Sequence, residues 1–325
     1  MTYRLDPAAP MSEALRRVAF GELEIAHNAL AAAPPERHSG VHSARKCLKR
    51  LRSLLLLARP GMPEPVYTSL YGRVTAIARG LAAARDAQAL IDASDKLERK
   101  SGPGPGLGPL HSLRAWLHKR RHAAEQNLER SAASDAMRGL WELRPAFAGL
   151  TVYPDDFRPL GKGLRICYRH TRKAFHHAFD EGRDEDFHEW RKGVQHHWRQ
   201  MQLLLPCWPS ELSARVEAAK SLSQLLGEDH DIFLLRKLAS TPTMTFGSPE
   251  ETAAFLKRCR KRQRLLREEG RAEGDRLFAE RSRPFAERIE AYWALAASAA
   301  FEKTGAEKRP DNVVTLGDMR TPRAG

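Results

Sequence analysis

Two short phrases carry the chemistry of this chain. His42, Arg45 and Lys46 open one basic, Leu-rich segment, and His188, Arg191 and Lys192 repeat the spacing 146 residues later. At about 100° per residue, His42, Arg45, Lys49 and Arg52 share an arc of about 80°, with Lys46 and Arg50 beside them. In the second copy His188, Arg191, Lys192 and Arg199 take the equivalent arc, joined by Gln195 and His196. Such a face suits phosphate: arginine offers a planar fork, lysine a compact charge, and histidine a donor whose charge rises beside anions. Tighter binding at mildly acidic pH is the corollary.

Further stripes have the same sign. Arg165, Arg169, Arg172 and His176 follow one another at spacings of four, three and four, and Arg114, His118 and Arg121 form a shorter run. In the basic segment from 255 to 280, Arg258 and Arg262 lie nearest the apolar residues Phe255, Cys259, Leu265 and Leu266, and are the candidates there. Arg16 is a weaker one. Like charges three or four apart on a helix repel by a few tenths of a kcal/mol per pair, about as much as an opposite pair gains. The two main stripes lack the interleaved glutamates that would offset this, so a bound anion should also stabilise the fold.

The elements that must position these residues read as helices throughout. Apolar residues recur with helical period near 11–32, 40–58, 64–99, 108–132, 159–181, 185–205, 209–239, 250–280 and 284–301, and no segment reads as a strand. Pro and Gly clusters separate them, among them Ala33-Pro34-Pro35, Pro60-Gly61, the stretch 101–109, Tyr153-Pro154 and Thr241-Pro242. Asp86 and Asp231 recur 145 residues apart, nearly in step with the histidines. Two markers in register imply an internal duplication. Residues 1–10 then form an N-terminal extension, 11–145 a first four-helix half, 146–158 a linker, 159–301 a second half with a closing helix, and 302–325 a disordered basic tail. Asp86 and Asp231 are expected to be structural, capping backbone amides or anchoring an arginine.

Bulk properties agree. The 325 residues suit two units of about 150. A net charge of +14 favours polyanionic partners. The four cysteines lack C-x-x-C spacing and read as reduced thiols, and neither a signal peptide nor a membrane-spanning run is evident, so a cytoplasmic protein without membrane insertion is expected.

Together these residues resemble the CHAD (conserved histidine α-helical) domain. The resemblance rests on Val41 to Arg52, on Phe187 to Lys192 with Trp198-Arg199, on Leu226-Gly227-Glu228-Asp229-His230-Asp231 with a looser form at Leu81 to Asp86, and on Tyr168 to Lys173. It spans about residues 11–300. It implies an all-α fold of two pseudo-symmetric four-helix bundles, with a basic groove or pore between them that binds inorganic polyphosphate, often at polyphosphate granules. His42, Arg45, Lys46, Lys49, Arg52, His188, Arg191, Lys192 and Arg199 would then contact phosphate, with granule-associated proteins as further partners. Gln195 stands where the first copy has Lys49, and His196 where it has Arg50, so the second half of the site is less charged.

Other chemistries fit less well. No H-E-x-x-H helix occurs, and histidines leading into cationic arcs would repel a metal ion, so no metal and no cofactor is expected. Phosphohydrolysis would need clustered carboxylates or a positioned nucleophile, and the expectation is a non-enzymatic binder. Glu22-x-Glu24-x-Ala26 is similar to the ExExK of triphosphate-tunnel enzymes, but it lies on a helix and lacks the lysine. Nucleic acid is the stronger rival, although no helix-turn-helix, zinc finger or aromatic platform is present. A helical scaffold for an acidic protein partner is the third reading.

Overall fold

The computed structural model describes residues 3–32, 37–241 and 245–307. Every regular element among them is helical. The order is α1 (Met11–Ala31), α2 (Arg37–Ala58), α3 (Glu64–Gly80), α4 (Ala83–Ser101), α5 (Leu107–Asn127), α6 (Ala133–Ala148), α7 (Arg158–Glu181), α8 (Asp184–Leu204), α9 (Pro209–Ala239), α10 (Pro249–Leu277) and α11 (Ser282–Glu307). A π-helical turn, Leu128–Ala132, carries α5 into α6. Local signals set several boundaries. Ser248 caps α10 in a reciprocal box with Glu251, ahead of Pro249 in the first turn. Asp184, Glu185 and Asp186 place negative charge at the start of α8. Gly182, at φ 74°, ends α7 in the left-handed conformation.

Three boundaries differ from the sequence reading. The expected helix 64–99 is two helices, broken at Leu81-Ala82, whereas α9 runs unbroken through the equivalent stretch. Residues 133–148, left out of any helix, form α6 through buried Ala133, Ala136, Leu140, Leu143 and Phe147. The last helix reaches Glu307 instead of ending at 301, so the expected tail 302–325 begins as helix. The rest of that tail, and the breaks at 33–35 and 242, lie outside the described residues.

Counting α3 and α4 as one, the elements α1–α6 and α7–α11 match one for one in order, and both His phrases fall on the second helix of their series. Apolar packing crosses between the series. One core gathers Leu15, Leu48, Leu51 and Phe147 with Tyr168, Trp190 and Phe285. A smaller one joins Leu97, Leu113 and Leu117 to Ile232, Leu235, Phe255 and Cys259, so α4 and α5 pack on α9 and α10. The sequence reading assigned each half its own bundle, whereas the side chains seal neither half alone. Residues 3–10 also belong to the body: Tyr3 and Leu5 are buried, and the Leu5 amide donates to the Leu203 carbonyl at 2.9 Å. At the meeting of α2 and α7, Gly163 is obligatory, because a Cβ there would lie 2.0 Å from the Leu57 carbonyl oxygen.

Candidate anion-binding site

Helix α2 turns its apolar side, Ala44, Cys47, Leu48, Leu51 and Leu55, into the core, which leaves the basic arc facing α3 and α8. Lys49 is its centre. Burial, then Arg199, Arg45, Arg191 and Arg52 in decreasing order, push the Lys49 ammonium down to about 8. Two of those arginines come from each phrase, so α2 and α8 build one cationic cluster. Burial and neighbouring Arg52, Arg50 and Arg191 lower the Arg199 guanidinium to about 10, opposed only by Tyr3. A cavity of about 220 Å³ opens between α2 and α3, lined by Arg45, Lys49, Arg52, Thr75, Ala78 and Arg79. No carboxylate lines it. Arg52 Nε and Thr75 Oγ1 are buried there without a hydrogen-bond partner, as is Arg191 Nε nearby.

The duplicated aspartates hold the duplicated arginines. Arg45 donates to Asp86 Oδ1 at 2.9 Å and to the Leu81 carbonyl at 3.0 Å, tying α2 to the α3–α4 break. Arg191 is stabilised electrostatically by Asp231, Asp229 and Asp86. The rest of the Leu226–Asp231 phrase locks helices together. Glu228 pairs with Arg262 at 2.6 Å and with Lys96, while Asp229 accepts from Arg267 at 2.9 Å and Gln263 at 3.2 Å. His230 stacks on His188, ring centroids 4.3 Å apart, with their Nδ1 atoms 3.1 Å apart. Burial lowers both, ahead of Arg191; His230 falls to about 3. His196 Nδ1 meets Ser53 Oγ at 2.8 Å, linking α8 to α2, and burial with Arg199, Arg52 and Lys192 holds it at about 3.

The remaining sequence candidates divide. His42 is half-buried and Lys46 exposed on the same helix, and Lys192 pairs with Glu189 at the outer edge. Arg50 turns away to buried Glu22, at 3.2 Å, and lies over the Tyr3 ring. Arg114 and Arg121 are bound by α4 and α5 side chains: Ser94, Asp95 and Glu98 for the first, Gln88 and Glu125 for the second. Arg258 clamps the Gly102 and Pro105 carbonyls, and Arg262 is held by Glu228. Arg16 donates to the Leu150 carbonyl. Arg165 is exposed on α7, and Arg169 with Arg172, which donates to the Phe278 carbonyl, flanks the α10–α11 turn and not the α2–α8 cluster. Sequence reasoning missed Arg79, Thr75 and Ser53, which carry no stripe of their own, and Tyr3, whose alternation with Leu5 was the one available signal.

Fold and site together define an all-helical protein in which arginines of both basic phrases surround Lys49, beside a small cavity lined by α2 and α3. The chain belongs to the CHAD domain family, whose model matches residues 23–240. It is similar in structure to PptA from Streptomyces chartreusis, with a TM-score of 0.59 at 15% identity over 84% of this chain and 100% of that one. The CHAD domain from the plant Ricinus communis aligns at a TM-score of 0.47 and 19% identity, over 90% of this chain and 94% of that one. No curated protein matches the chain. No helix among the described residues is long and apolar enough to cross a membrane.

Proposed function

We propose that the protein binds inorganic polyphosphate without transforming it, laying the phosphate chain along a groove shared by two pseudo-symmetric halves, in association with polyphosphate granules in the cytoplasm. The observation that carries this reading is Lys49, half-buried among four arginines, beside a cavity with no lining carboxylate. Such a cluster is self-repulsive, and a polyanion supplies the negative charge that the lining of the cavity lacks. Membership of the CHAD family supports the choice of phosphate chain over nucleic acid. Lys46, Lys192 and His42 extend the cationic face outward from the cavity, so successive phosphates can be met along the helix.

Reversing Lys49 and Arg52 together to Glu tests the proposal. Binding of long-chain polyphosphate, followed by calorimetry, is expected to fall by at least tenfold with the helical circular dichroism unchanged. Unaltered affinity in a folded variant would remove the α2–α8 cluster from the site. Arg45 and Arg191 are unsuited to this test, because a glutamate at either would face the aspartates that hold the arginine now.

A further inference from the structure

A second basic concavity lies apart from the α2–α8 cluster. At the end of α7, Arg169, Arg172, Lys173 and His176 face Arg281 and Ser282 of the α10–α11 turn across a cavity of about 470 Å³. Asp180 is the one carboxylate in its lining. The side chains of Arg169, Lys173 and Arg281 make no hydrogen bond or ion pair among the described residues, whereas Arg114 and Arg121 on α5 and Arg258, Arg262 and Arg267 on α10 are already engaged.

The floor of this cup is built rigidly. Tyr168 Oη donates to the Leu277 and Glu280 carbonyls at 3.1 and 3.0 Å, Arg215 to Leu277 at 2.6 Å, and Arg172 Nε to Phe278 at 2.9 Å. These donors satisfy the last carbonyls of α10. They also fix the Arg172 guanidinium by one nitrogen and leave its other N–H groups directed elsewhere. Ser282 opens α11, a helix of 26 residues, whose positive end adds to the side-chain charges. Planar guanidinium forks and a lysine are the donor set that phosphate oxygens take. Arg281 and Ser282 lie beyond the stretch matched by the family model, so the α10–α11 side of the cup is not covered by that match.

We propose that the α7–α11 cup is a second, independent site for condensed phosphate, so that one protein molecule holds two short chains, or two separated stretches of a long one. This rests on reading the protein as a polyphosphate binder. A neighbouring groove between α7 and α8, lined by Lys162, His170, Lys192 and His196 but also by Glu64 and Glu189, separates the cup from the first site.

Calorimetric titration of the full chain with tripolyphosphate tests it. The expected stoichiometry is two for the unmodified protein and one for each of two folded variants, Arg169→Glu with Arg281→Glu in the cup and Lys49→Glu with Arg52→Glu in the cluster. The affinity of the surviving site should stay within about twofold of its original value, as independent sites require. A stoichiometry of one in the unmodified protein, or a cup variant indistinguishable from it, overturns the second site. A cluster variant that keeps full binding while the cup variant loses a site would leave the cup standing and remove the α2–α8 reading instead.

Discussion

Lys49 concentrates the electrostatic problem of this fold into one titration. Its ordinary value of 10.5 is lowered to about 8 in the folded chain by burial and by Arg199, Arg45, Arg191 and Arg52. Between about 8 and 10.5 the unfolded chain binds more protons at this residue, so its contribution to stability rises with pH across that window. Below 8 both states are protonated and the repulsion is present in full. A bound polyanion raises the lysine again, so binding near pH 8.5 is expected to take up a proton and affinity to fall as pH climbs above 8. Calorimetry in buffers of different ionisation enthalpy measures that uptake, and Lys49→Met should abolish it. The same variant should lower the salt slope of binding by about one, as loss of one phosphate contact does. The histidines behave differently from the sequence expectation. Burial lowers His188, and His196 and His230 stand at about 3, so in the free protein the latter two are neutral at mildly acidic pH and act as neutral hydrogen-bonding groups. At this scale the periodicity of α2 and α8 was legible because helical geometry alone fixes which side chains share a face. The fate of Arg50 was not, because it depends on Glu22 arriving from another helix.

Between helices, the Leu226–Asp231 phrase works as a lock. Asp229, 4% exposed at its side chain, accepts from Arg267 and Gln263 of α10, and Arg267 also reaches Asp184 at the start of α8. Removing Asp229 leaves Arg267 and Gln263 with Asp184 as their remaining carboxylate and takes away one charge-assisted hydrogen bond. Asp229→Ala is therefore expected to cost about 2 kcal/mol in urea unfolding. An unchanged midpoint would mean the network is solvated. Gly163→Ala forces a methyl group against the Leu57 carbonyl and should destabilise the α2–α7 contact by about 2 kcal/mol. Helix existence was readable from the 3.6 period nearly everywhere. The break between α3 and α4 was not, since Gly80-Leu81 resembles the Leu226-Gly227 that α9 carries without breaking; what marks the first copy is Arg45 binding the Leu81 carbonyl. For α6 the signal existed, in apolar residues spaced three and four apart, but Pro145 disguised it; the proline sits near the helix end, where the disruption is slight.

For the molecule as a whole, the duplication brings like charges together. Related helices carry the same face, and their convergence at Lys49 turns two ordinary basic stripes into one strained site. Composition gave a net charge of +14, and spacing picked out the basic faces of α2 and α8. Neither showed that Arg114 and Arg258 were occupied, because Glu98 and the Gly102 carbonyl lie 16 and 156 residues away in sequence. Nor did either separate the α7 stripe from the cluster. Affinity for polyphosphate should rise with chain length and fall with salt by nearly one logarithmic unit per phosphate contact, an order of magnitude borrowed from nucleic acids. The most direct test of the central claim is titration with long-chain polyphosphate at about physiological ionic strength, with double-stranded DNA and RNA as competitors. Tight binding that nucleic acid displaces poorly is the expected result. Displacement by DNA or RNA at equal phosphate concentration would contradict it.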